Sequence, residues 1–136
     1  MKRLRGIWPL LDRRDIHIEV PAIAYKELAS KTEGTSSARI RQGVSQARKM
    51  QSERFSNEKI LTNSRMNNRQ VKKFCKLDDD SDTLLKQAID ELGLSARAYT
   101  RILKVARTIA DLEGADAIEL NHISEAIQYR SLDRTL

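Results

Sequence analysis

The side chains that could do chemistry in this chain of 136 residues are few and mostly cationic. Between Ser95 and Glu113, at about 100° of turn per residue, Arg97, Arg101 and Lys104 fall on one helical face, opposite Tyr99, Ala106 and Ile109. Guanidinium and ammonium groups in such a stripe suit contacts with phosphate. They also suit plain solvation, and on residue types alone solvation is the reading to prefer. Asp78, Asp79, Asp80 and Asp82 could be imagined as a cation site. They stand where a helix should begin, so a charge cluster matched to the helix dipole is the expected role. Arg107 has Asp111 four residues on and is expected to pair with it structurally. His17 and His122 lie far apart without ligand spacing and are expected to be structural. One cysteine, Cys75, excludes an internal disulfide and a cysteine-based zinc site. No metal site is expected, and Cys75 beside Phe74 reads as a buried small hydrophobe. The sequence contains no G-x-x-x-x-G-K-[ST] phosphate loop, no apolar strand ending in paired acids and no Ser/His/Asp or Cys/His arrangement. Alone, this chain is expected to catalyse nothing.

The elements that must position these groups are mainly helical. Aromatic residues are 4% of the chain, so the core must be built from Leu, Ile, Val and Ala, and five Gly with two Pro are too few to punctuate an all-β fold. No apolar run approaches 18 residues, and there is no signal peptide or lipidation motif, which makes the cytoplasm the default expectation. In "DIHIEVP", Ile16, Ile18 and Val20 alternate with polar neighbours, which predicts a half-buried strand ended by Pro21. No second strand follows. The strand must therefore pair with another chain or with a sheet upstream, and the sequence reads as a fragment.

From Ala22 the pattern turns helical: a short segment at 24–31, then a helix from about Ser36 to Arg54 with a narrow apolar stripe of Ile40, Val44 and Ala47. Such a helix buries little and should lie across another surface. Residues 56–66 have no clear period and read as a linker. A short helix is expected at 67–75 with Asn67 as its cap. The next follows the acid run, carries Leu84, Leu85, Ala88, Ile89 and Leu92, and ends at Gly93. A third runs from Ser95 to Gly114 with Tyr99, Ile102, Leu103, Ala106, Ile109 and Ala110 inward. The last, about 120–130, presents Leu120, Ile123 and Ile127, with Glu119 a poor cap. Together the helices make a small bundle.

Two stretches carry a family resemblance. "PLLDRRDIHIEVP" (9–21) resembles the segment after sensor 1 in Mg-chelatase-like AAA+ ATPases. "LSARAYTRILKVARTIADLEG" (94–114), "ISEAIQYRSLDR" (123–134) and "CKLD" (75–78) resemble the sensor 2 helix, closing helix and preceding turn of the ComM/YifB branch. The resemblance spans nearly the whole chain. It implies a C-terminal remnant of the α/β ATPase core at 1–21, a linker and helix at 22–66, and a helical lid at 67–136. It also implies that Arg13 is an arginine finger acting on a neighbouring subunit's nucleotide, and that Arg97, with Arg101 as the alternative, is the sensor 2 arginine. ATP and Mg²⁺ would serve the longer protein, with none expected for this chain alone, and its partners would be neighbouring subunits of a homo-oligomeric ring. Arg14 stands where the family usually has Ile or Phe, and Trp8 replaces a small residue before Pro9; both bear on the finger's geometry. The net charge of +6 permits DNA binding, expected to be weak and non-specific. No membrane partner is expected. Two other classes compete with the lid reading: a stand-alone basic helical DNA-binding module, and an interaction module whose strand 15–20 adds to a partner's sheet.

Overall fold

The computed structural model describes residues 14–18, 20–22 and 34–131. Arg13, Trp8 and the short helix expected at 24–31 lie outside the described residues. The described part is helical: α1 is Ser37–Arg54, α2 Asn68–Phe74, α3 Asp79–Leu92, α4 Ala96–Glu113 and α5 Leu120–Ser131, with one 3-10 turn at Asn63–Arg65.

Local chemistry sets most of these boundaries. Ser36, Asn67, Asp78 and Ser95 each accept a backbone N–H of the first turn of α1 to α4 respectively. At α2 the cap is reciprocal, because the Gln70 side chain also accepts the Asn67 N–H at 2.9 Å. Gly93 and Gly114 close α3 and α4 at φ 57° and 75°, a left-handed conformation that a side chain would strain.

α4 is the hub, packing against α1, α2, α5 and the 3-10 turn, while α3 packs against α5. The core gathers Leu85, Ile102, Leu103, Ala106 and Ile123 with Phe55, Met66, Val71 and Cys75. Phe55 and Phe74 meet edge to face with centroids 5.3 Å apart. The expected small helical bundle is therefore present.

The details depart from the sequence reading in four places. No strand occurs among the described residues: Ile16, Ile18 and Val20 stand 49%, 69% and 78% exposed. A lone strand needs a partner for its backbone groups. The segment instead lies on α5, where the His17 N–H donates to the Tyr129 carbonyl at 2.9 Å. Residues 56–66 are irregular, as their lack of period implies, but they are no spacer, since Asn63 and Met66 are buried. Tyr99 is exposed, and its neighbour Ala98 takes the inward position. Leu120, expected on the apolar side of α5, is also exposed.

Candidate functional site

The sequence of α4 divides its cations between two environments. Toward its C-terminal end, Arg107 is buried and Asp111 is fully buried. Arg107 Nε donates to Asp111 Oδ1 at 3.1 Å, and its two terminal nitrogens donate to the carbonyls of Asp116 at 2.8 Å and Ala115 at 2.6 Å. Arg54, arriving from the end of α1, grips the same carboxylate with both terminal nitrogens, one of them at 2.9 Å. Asn63 completes the knot. Its amide nitrogen donates to Asp111 at 2.8 Å and to Thr108 at 3.1 Å, its carbonyl oxygen accepts from Arg54, and its backbone N–H donates to the buried Gln51 at 3.1 Å. Desolvation pulls the Arg107 guanidinium below its ordinary value, and the Asp111 carboxylate acts against that pull. Both oxygens of Asp111 and all three nitrogens of the Arg107 guanidinium are engaged inside the fold, so this cluster locks α1, the 3-10 turn and α4 together. The expected Arg107–Asp111 pair is present. Its two further members, Arg54 and Asn63, gave no periodic signal.

The basic stripe is less uniform than its spacing suggested. Lys104 donates to the Ser64 carbonyl at 3.0 Å, and Arg101 pairs with Asp15 at 3.2 Å. Both line a groove of about 510 Å³ walled by Ile16, Val105, Leu112 and Tyr129. Arg97 differs from both. It is exposed in the first turn of α4, just after the Ser95 cap, and forms no hydrogen bond or ion pair with the described residues. The structure thus brings Arg101 and Lys104 into one groove and leaves Arg97 facing solvent.

His122 has a structural place. It is fully buried; Nδ1 accepts the Glu119 N–H at 2.9 Å, which leaves Nε2 to donate to Glu113 at 2.9 Å. The imidazole therefore satisfies the Glu119 N–H from the third position of α5, as the returning arm of a capping box does, and ties the end of α4 to the start of α5. Cys75 is buried, and burial raises its thiol to about 11, so it is no nucleophile at neutral pH. The acid run behaves as a helix start: Asp78 caps α3 and Asp82 pairs with Lys86 at 2.6 Å. Among the described residues no group of three His, Cys, Asp or Glu is placed to hold a metal ion. No helix among them is long and apolar enough to cross a membrane.

Residues 34–130, from the start of α1 to the end of α5, match the family described as magnesium chelatase, subunit ChlI C-terminal. The chain belongs to this family. Over its full length it is 43% identical to the competence protein ComM of Haemophilus influenzae. It is 41% identical to the uncharacterized protein YifB of Escherichia coli, again over its full length. A more distant relative, Mb2921c of Mycobacterium bovis, is 27% identical over 90% of the chain. The chain spans 26% of the length of the first two relatives and 24% of the third. The matched region takes in the buried knot, the N-caps of α1 to α4 and Arg97, so the bundle from α1 to α5 coincides with the family's unit.

Proposed function

We propose that this region is the helical lid of a ring-forming ATPase, with Arg97 as its nucleotide-sensing group. One observation carries the reading. Among the cations of α4, Arg101, Lys104 and Arg107 are engaged within the fold, while Arg97 is exposed on a helix held rigidly from its other end. A guanidinium of fixed charge on a rigid mount suits contact with a phosphate group delivered by another part of the assembly. The residues present supply no phosphate loop of their own, so the ATP and Mg²⁺ site would be provided by the rest of a longer protein. Arg13, by its resemblance to the arginine finger, would act on a neighbouring subunit's nucleotide and stabilise charge that develops during hydrolysis. The likeness to a competence protein favours nucleic acid as what such an ATPase remodels, and the cytoplasm as where it works.

The test is ATP turnover in the full-length ATPase carrying this region. Arg97→Ala should lower turnover about tenfold or more, the loss expected when a charged group contacts the nucleotide only as it reacts. Arg101→Ala should do less, because its charge already faces Asp15. Equal, mild losses from the two substitutions would return the stripe to plain solvation. A larger loss from Arg101→Ala would move the sensor one turn along the helix.

A further inference from the structure

We propose that the N-terminal half of α1 is a prong that binds the backbone of duplex nucleic acid. α1 joins the bundle only through its second half. Ala47 and Gln51 are buried and Arg54 enters the knot, whereas nearly every residue of Ser37–Gln46 is exposed. The helix leaves the bundle beside Gly114, where Gln46 Nε2 lies 3.7 Å from the position of a Cβ. Val44 still lines a pocket with Thr108 and Leu112, and before it roughly 10 Å of helix, at 1.5 Å per residue, stands clear of the described residues.

Its charge is one-sided. From Gly34 to Ser52 the chain has no Asp or Glu, but carries Arg39, Arg41, Arg48 and Lys49. At about 100° per residue, Ile40 and Val44 continue the Ala47–Gln51 seam, the opposite side carries Gln42, Ser45 and Lys49, and Arg41 and Arg48 stand exposed on the flank between the two. That side and flank have cations and hydrogen-bonding groups but no large apolar residue. The centre of a protein interface is poor in charge and rich in aromatic residues, so the composition does not suit a protein partner. Nucleic-acid interfaces are polar and strongly positive, and most of their hydrogen bonds go to phosphate. The shape agrees: a helix about 10–12 Å across fits a major groove about 12 Å wide, provided that it projects from its domain. Arg41 and Arg48, two turns apart on one line, would meet phosphates along the groove edge. This contact uses residues separate from Arg97 and stands whether or not Arg97 senses nucleotide.

The probe is a fluorescently labelled, mixed-sequence DNA duplex titrated with the purified chain at several salt concentrations. Arg41→Glu/Arg48→Glu should weaken binding about tenfold or more at low salt and reduce the salt slope by about 2. Arg41→Lys/Arg48→Lys should keep most of the affinity, since phosphate contacts need charge rather than a fork. Lys72→Glu/Lys76→Glu changes the same charge at exposed positions elsewhere and should weaken binding far less. All four positions are exposed, so the variants should keep the wild-type helical circular dichroism. Where the Glu pair does not, Arg41→Gln/Arg48→Gln replaces it. Equal losses from the α1 and Lys72/Lys76 variants, or no duplex binding at low salt, would overturn the proposal. So would DNA-free self-association that the α1 variant abolishes in sedimentation, because a second copy would then occupy the prong. Arg97→Ala should leave DNA binding unchanged, which separates this result from the nucleotide test.

Discussion

The two ends of α4 carry the same side chain in opposite circumstances. Arg107, 2% exposed, is bound by Asp111 and two backbone carbonyls. Arg97, ten positions earlier, meets only solvent among the described residues. Burying a guanidinium requires that its charge and all its donors be met, and the sequence meets them with Asp111 and the carbonyls of the turn that follows α4. Leaving one in water requires nothing, so its presence at the start of a well-capped helix asks for no structural explanation. The difference separates arginines that build the bundle from one that is available to something outside it.

Asp111→Ala attacks the buried end and should have the largest effect. It removes the one carboxylate shared by Arg54 and Arg107 and leaves two desolvated cations in proximity, at a cost of about 3–5 kcal/mol. Against a typical domain stability of about 5–15 kcal/mol, that is enough to unfold a marginal chain. Urea denaturation of the isolated chain measures it. Asp111→Asn keeps the shape and one acceptor and should cost less. A loss below about 1 kcal/mol for the alanine variant would mean that water replaces the carboxylate freely, and the contrast between the two ends of α4 would collapse.

A second, smaller effect depends on pH. Burial raises the Cys75 thiol from its ordinary 9.0 to about 11, opposed most by Arg107 and then Arg54. Since the folded value lies above the unfolded one, the native state holds the proton more tightly. The contribution is fully present below about pH 9 and is lost as pH rises from about 9 to 11, to a limit of roughly 2–3 kcal/mol. Other groups titrate in that window, so the measurement is the difference between wild type and Cys75→Ala, from denaturation at about pH 7 and about pH 10.5. The wild-type chain should lose more stability on going to alkali. Identical pH dependence in the two would show that the thiol ionises without leaving its neighbours, and that this part of the core is wetter than its packing implies.

What the sequence made legible is what neighbours in sequence decide. Asn67, Asp78 and Ser95 announced helix starts, Gly93 and Gly114 announced ends, and the stripe from Ile102 to Ala110 announced the buried face of α4. The knot was half visible, because Arg107 and Asp111 are four residues apart, but Arg54 reaches Asp111 across 57 positions. A pair so distant leaves no period to read. Asn63 was hidden for a related reason: it lies in a stretch without regular structure, where a buried polar residue looks like any loop residue. Glu119 is the poor cap its residue type implies, and the signal missed at the start of α5 is His122, whose imidazole reaches back to accept the Glu119 N–H. The strand expected at 15–20 failed differently: alternation describes what a segment can do beside a sheet, and the described residues offer it a helix instead. Of the candidate site, spacing gave the basic stripe, but only the fold shows which of its members are already engaged.

The smallest expected effect tests that distinction directly. Arg101 pairs with Asp15 at 3.2 Å, with side chains 25% and 56% exposed, so the ion pair contributes at most about 1 kcal/mol. Arg97→Ala should change global stability by less than about 0.5 kcal/mol. Equilibrium denaturation barely separates two such numbers, whereas local exchange should. The pair tethers the extended segment Arg14–Ile18 to α4, next to the backbone hydrogen bond from His17 to Tyr129 and the Arg130 contact to the Arg14 carbonyl at 3.2 Å. Arg101→Ala loosens one hold and leaves the others, so exchange of the His17 amide should quicken by a few-fold while amides of Leu85, Ile102 and Ile123 stay slow. Arg97→Ala should leave all of them unchanged, because nothing described depends on it. Faster exchange at His17 in the Arg97 variant would mean that Arg97 already serves the fold. The two ends of α4 would then differ in degree rather than in kind, and the case for Arg97 as a group held ready for phosphate would lose its footing.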